Sequence, residues 1–167
     1  MSEENPKPCG GRLRPPLRVV LTRVGESPPY NCGGDRWLID APAKAFAFWQ
    51  EVIAAEPTFE PDKEHLVAVL VNTKFQVTGY HVVSVGSVNE SIAHPREIFR
   101  AVIIAAAFGL VLMHNHPSGD PCPSKADHVI TKRIQDGADL LNLRLLDHVI
   151  AGNETFYSFK ESGAVFG

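Results

Sequence analysis

The chain has 167 residues, 44% of them hydrophobic, which is enough for one domain with a real core and short for two. A formal net charge of −3 and a pI near 6.1 supply no basic face for a phosphate backbone, so charge speaks against nucleic acid as a partner. No apolar run approaches the roughly 18 residues of a membrane span, the first residues lack a signal-peptide core, and Cys9, Cys32 and Cys122 are too scattered for a disulfide framework. The expectation is a cytoplasmic protein with no membrane partner.

Residues 1–16, rich in Pro, Gly and charge, read as a flexible leader. "RVVLTRV" (18–24) has the β-branched content of a strand, and "ESPPYNCGGD" (26–35) reads as a loop. "APAKAFAFWQEVIAA" (41–55) carries apolar residues at helical spacing, with Pro42 in the first turn and Phe46, Trp49 and Ile53 facing the core. Residues 17–63 are thus expected to be a strand and a helix packed on a core that starts at residue 64.

Two β-rich runs, 65–72 and 75–85, flank an Asn-Thr-Lys corner and predict a hairpin, with strict alternation placing Val77, His81, Val83 and Val85 on one face. "HPREIFRAVIIAAAFG" predicts a helix from Pro95 to just before Gly109, burying Ile98, Val102 and Ala105. A buried strand (110–116), a helix (124–142) and two closing strands (144–152 and 155–162) follow. Strands alternating with helices predict an α/β fold, a mixed sheet with helices on both faces.

The chemistry concentrates in "LVLMHNHPSGDPCPSKAD" (110–127). On a strand, His114 and His116 present both imidazoles to one side, and Asp127 follows in the first turn of the next helix. Two imidazoles and a carboxylate suit a catalytic zinc with an open fourth position for water. The same letters also read as a helix start, because Ser124 and Asp127 have the spacing of a capping box. Other His-x-His sites fail on spacing or size: the metallo-β-lactamase pattern wants Asp where Ser118 stands, and the amidohydrolase pattern needs a TIM barrel of about 250 residues.

His114-Asn115-His116-Pro117, six residues, then Ser124-Lys125-Ala126-Asp127 resembles the His-x-His-Pro-x6-Ser-x-x-Asp signature of JAMM (JAB/MPN) metallopeptidases. The wording is most similar to the bacterial RadC-like branch, through "HPRE" at 94–97, "HNHPSGDP" at 114–121 and "LDHVIAG" at 146–152. The resemblance covers about residues 64–163. It implies a three-layer α/β/α, cytidine-deaminase-like core, Zn2+ held by His114, His116 and Asp127, and an oxyanion supported by Ser124. It also implies a glutamate acting as general base and acid on the strand before the "HPRE" helix, where this chain has His81.

His81 then either carries the proton itself, closes the site as a fourth ligand, or packs beside a catalytically poor centre. Glu90 and Glu97 are nearby carboxylates, but Glu97 has the ordinary reading of a first-turn residue favoured by the helix dipole. "HPRE" can equally do no more than start a helix, and Asp147-His148 no more than pack as buried polar groups. No helix-hairpin-helix module of the kind often found ahead of RadC-like domains is read before residue 64, and Arg12, Arg14, Arg18 and Arg23 read as a solvated leader and strand edge. The expected function is a zinc-dependent hydrolase cutting a peptide or isopeptide bond in a protein or peptide substrate. A non-catalytic metal-binding or partner-binding domain is the alternative, and a DNA-repair accessory factor the second.

Overall fold

A computed structural model describes residues 37–86 and 94–164. The leader, the strand expected at 18–24, the loop at 26–35, Glu90, Cys9 and Cys32 lie outside the described residues. The elements are helix α1 (Pro42–Phe48), strands β1 (Glu64–Val71) and β2 (Val77–Gly86), helix α2 (Pro95–Ile104), strand β3 (Gly109–Asn115), helix α3 (Lys125–Leu140), and strands β4 (Arg144–Ala151) and β5 (Phe156–Ser158). Helix α1 runs directly into a π-helical turn, Trp49–Ile53.

The five strands form one mixed sheet in the order β2-β1-β3-β4-β5, with only the β3–β4 pair parallel. β1 and β3 are interior strands, which is why they are apolar almost end to end: each face must meet a helical layer. Val67, Val69, Val111, Met113 and Val149 pack under Phe46, Phe48 and Trp49, while Leu66, Ala68, Leu70, Leu110 and Leu112 pack under Ile98, Val102, Ile130 and Ile134 of α2 and α3. Alternation along each strand therefore feeds two cores, one on either side of the sheet, and the three-layer α/β/α architecture follows. Each such aliphatic side chain, fully buried, contributes about 1.5–3 kcal/mol.

Several local expectations change. Helix α2 stops at Ile104, before Gly109, and the chain reverses through Ala106 at φ 48°. Gly109 opens β3 instead, where a Cβ would sit 2.5 Å from the Arg144 carbonyl oxygen: the glycine lets two parallel strands start side by side. The last strand covers Phe156–Ser158 only, and the chain then turns.

Alternation in β2 also fails. Leu66 pairs with Ser84 but Val67 with Val82, and Leu70 pairs with Gly79 but Val71 with Val77, so Val83 and Thr78 are extra residues in β2. Each bulge resets which face the next side chain takes. His81 and Val83 share the α2 side, Val77 packs against the α1 core, and Val85 is paired with His65 and exposed. The single face expected for Val77, His81, Val83 and Val85 does not exist.

Candidate metal centre

β3 ends at the edge of the α2–α3 layer, and His114 is its last residue pointing that way. It is buried and pairs with Leu66 on one side and Ile150 on the other. His116 lies just past the strand, but its backbone N–H donates to the Ala151 carbonyl at 3.2 Å, so the extended direction continues and both imidazoles emerge on one face.

The loop after His116 is held by close fit. Gly119, at φ 79°, accepts from the Asn153 N–H at 3.1 Å, and a Cβ on Gly152 would lie 2.5 Å from the Gly119 carbonyl oxygen. Two glycines thus let the 117–121 and 152–153 turns touch backbone to backbone. The fitted loop brings the Asp120 carbonyl to 2.8 Å from His116 Nδ1. A carbonyl only accepts, so His116 carries its proton on Nδ1 and turns Nε2 toward the site.

Asp127 completes the cluster from α3. Ser124 is the N-cap: its Oγ accepts from the Asp127 N–H at 3.2 Å, and the Ser124 N–H donates back to Asp127 Oδ2 at 2.7 Å. The capping box is real, and so is the approach to the histidines, because Oδ1 lies 3.2 Å from His114 Nε2 while Oδ2 lies 3.5 Å from His116 Nε2. Cap and ligand were alternatives in the sequence; one carboxylate takes both positions.

The two Nε2 atoms are 3.1 Å apart. Two electron pairs facing each other at that distance need a proton or a cation between them. Among the described residues, His114, His116 and Asp127 are the set whose ligand atoms converge, all within 4.8 Å of one another. Imidazole nitrogens with a carboxylate oxygen are the donor set of a borderline divalent cation, so these residues fit a zinc-type metal.

The electrostatics agree. Burial pushes the Asp127 carboxyl up, but the neighbouring His114 and His116 rings and the Ser124 hydroxyl outweigh it and hold the group ionised, well below the usual carboxylate range. The Asp127 hydrogen bond raises the His116 proton affinity against the effect of burial, with help from the Asp120 carbonyl and the charges of Asp127 and Glu64. His148, on β4, places Nε2 2.9 Å from His114 Nδ1. Its complete burial, and after that the neighbouring His114, hold its own proton affinity well below the ordinary value.

His81 is half-buried and sits in the row of Ala68 and Leu112, one step down the strand from the row of His114, Leu66 and Ser84. It is outside the converging set, so the geometry offers no support for His81 as a fourth ligand. Glu97 pairs with Arg100 at 2.6 Å in the first turns of α2. A residue that the sequence did not single out is Glu64. Continuing the β1–β3 register from the Leu66–His114 pair places it across from His116, on the same face as both histidines, and its charge acts on the His116 ring. The missed signal was an acidic residue at the start of a strand that is apolar from Leu66 onward. Cys122 is an exposed free thiol on the same loop.

Sheet order, the two helical layers and this convergence of His, His and Asp define an α/β domain of the JAB/MPN type with a candidate metal centre. The chain belongs to the RadC-like JAB domain family, whose model matches residues 39–164 and so takes in α1 as well as the sheet. A UPF0758 protein of Thermotoga maritima is 38% identical over 125 residues, 75% of this chain and 54% of the relative. UPF0758 proteins of Desulforamulus reducens and Geobacillus thermodenitrificans are 44% and 47% identical over 104 and 103 residues, each match covering 62% of this chain and 46% of the relative. The chain spans about half the length of the curated relatives it matches. Among the described residues, no helix is long and apolar enough to cross a membrane.

Proposed function

We propose that this chain is a zinc-dependent hydrolase of the JAMM type that cuts a peptide or isopeptide bond in a protein or peptide substrate. The observation that carries the reading is the pair of Nε2 atoms 3.1 Å apart beside an ionised, buried carboxylate, a donor set suited to a divalent cation. His114, His116 and Asp127 would hold zinc, which when bound would supply Lewis-acid polarisation of the substrate carbonyl and a nucleophilic water at neutral pH.

The chain's own groups do the rest. Glu64, across from His116, takes the proton of the attacking water on its carboxylate and returns it to the departing amine nitrogen as the C–N bond breaks. Ser124, exposed at the helix start with its hydroxyl proton on Asp127 Oδ2 at 2.7 Å, can turn that proton toward the oxyanion. His81 remains the other candidate for the proton transfer, from the second row of the sheet face.

The test is metal content together with hydrolysis. Purified full-length protein should hold one zinc per chain and release amines from a peptide or isopeptide library, and His114→Ala and Asp127→Ala should lose both. A wild-type chain that takes up no divalent metal ends this reading; one that binds zinc and cuts no amide is a metal-binding domain without chemistry.

A further inference from the structure

"LDHVIAG" carries a histidine that the hydrolytic reading leaves without a task. His148 lies on β4 beside β3, paired with Leu112, and its ring is fully buried and stacked on Phe159 at 4.9 Å and 7°. Its Nε2 meets His114 Nδ1 at 2.9 Å, and its Nδ1 meets Thr131 Oγ1 at 2.6 Å. Thr131, also fully buried, sits one helical turn after Asp127 on α3, and its hydroxyl donates to the Asp127 carbonyl oxygen.

That carbonyl fixes the polarity of the whole chain of contacts. It can only accept, so the Thr131 hydroxyl spends its one proton there and must accept from His148. His148 then carries its proton on Nδ1, and its Nε2 is an acceptor. His114 is obliged to donate from Nδ1, which leaves an electron pair on Nε2, aimed at His116 and Asp127. Reversing a proton anywhere along the Thr131, His148 and His114 Nδ1 contacts would set two donors or two acceptors against each other in a dry interior.

We infer that Thr131 and His148 are positioning residues for the metal centre, which lock His114 into the tautomer whose Nε2 is a ligand. The path closes on itself: Asp127 supplies a ligand from its side chain and, from its backbone, the acceptor that orients another ligand. Helix α3 therefore sets two of the three donors, one of them through β4. This rests on the metal-binding part of the proposal above.

The test uses Thr131→Val, which keeps the shape and removes the hydroxyl, with Thr131→Ser as the variant that restores it. In the metal-free full-length protein, imidazole 15N shifts should show His114 protonated at Nδ1 in the wild type and in Thr131→Ser. In Thr131→Val that proton should redistribute toward Nε2. Affinity for cobalt(II), followed by its visible absorption, should fall about 10- to 100-fold in Thr131→Val and return in Thr131→Ser. Should Thr131→Val not fold, Thr131→Ala removes the same hydroxyl and carries the same expectation. Unchanged His114 shifts and unchanged cobalt affinity in the hydroxyl-free variant would overturn the inference. A wild type that binds no metal, yet whose His114 tautomer follows residue 131, would sink the zinc reading and leave the relay standing.

Discussion

The carboxyl of Asp127 is shared between the start of its own helix and His114: Oδ2 accepts from the Ser124 hydroxyl at 2.7 Å while Oδ1 lies 3.2 Å from His114 Nε2. Helix stability and any metal bound at this site would therefore be coupled through one side chain. Ser124→Ala removes the cap's oxygen and should cost about 1 kcal/mol of folding stability, with zinc still bound. Asp127→Asn keeps the shape but loses the charge, and should release zinc. Melting curves and metal analysis on the two variants separate the roles; equal metal loss in both would show that the cap, and not the charge, holds the ion.

Glu64 and His81 compete for the proton transfer. Glu64→Gln should lower the hydrolytic rate by about 100-fold or more at full zinc occupancy, because the continued β1–β3 register places Glu64 opposite His116 and its charge acts on that ring. His81→Asn should leave the rate within a few-fold, since His81 lies in the Leu112 row. The opposite ranking would return the task to His81.

In the metal-free protein, the two titrating partners act at different pH. The Asp127 hydrogen bond, working against burial, raises His116 above its ordinary 6.5, so its contribution is complete below that value and is lost as pH rises through the raised one. Asp127, whose burial is outweighed by its histidine partners, lies well below 3.8, so its contribution is intact above 3.8 and disappears only in strong acid. The metal-free Tm should fall from about pH 6 to 8, while zinc, which displaces the same proton, binds more tightly over that range. The gap between zinc-loaded and metal-free melting temperatures should widen accordingly; a constant gap would contradict it.

Gly152→Ala tests the fitted loop. Its new methyl would meet the Gly119 carbonyl oxygen at 2.5 Å and Pro121 Cδ at 2.9 Å, pushing away the segment that holds the Asp120 carbonyl on His116. A loss of about 1–3 kcal/mol of stability should come with weaker zinc binding, read by competition with a chromophoric chelator. Normal affinity would show that His116 is oriented without Asp120.

The candidate metal triad was legible because it is local: His114 and His116 share a strand face, and the Ser124–Asp127 spacing marks a helix start. The layered fold was legible because β1 and β3 are apolar on both faces. What escaped depends on register. Nothing in the letters of β2 marks Val83 and Thr78 as extra residues, so alternation carried Val77 and Val85 to the wrong face. Glu64, Thr131 and His148 each look ordinary alone; Glu64 acquires meaning from the β1–β3 pairing, and His148 from the parallel alignment of β4 with β3. An interior glycine can mark a helix end or a close strand approach, and Gly109 turned out to be the second.

The two bulges in β2 have a consequence away from the candidate metal centre. Among the described residues β2 is the outermost strand next to β1, and it exposes Val82 and Val85. A flat, regular strand of that composition would template another chain and seed aggregates. With an extra residue at Thr78 and another at Val83, its outward backbone groups fall out of step with any straight strand laid beside them. The irregularities that hid the facing of Val77 and Val85 from the sequence also make this edge a poor template for a second straight strand.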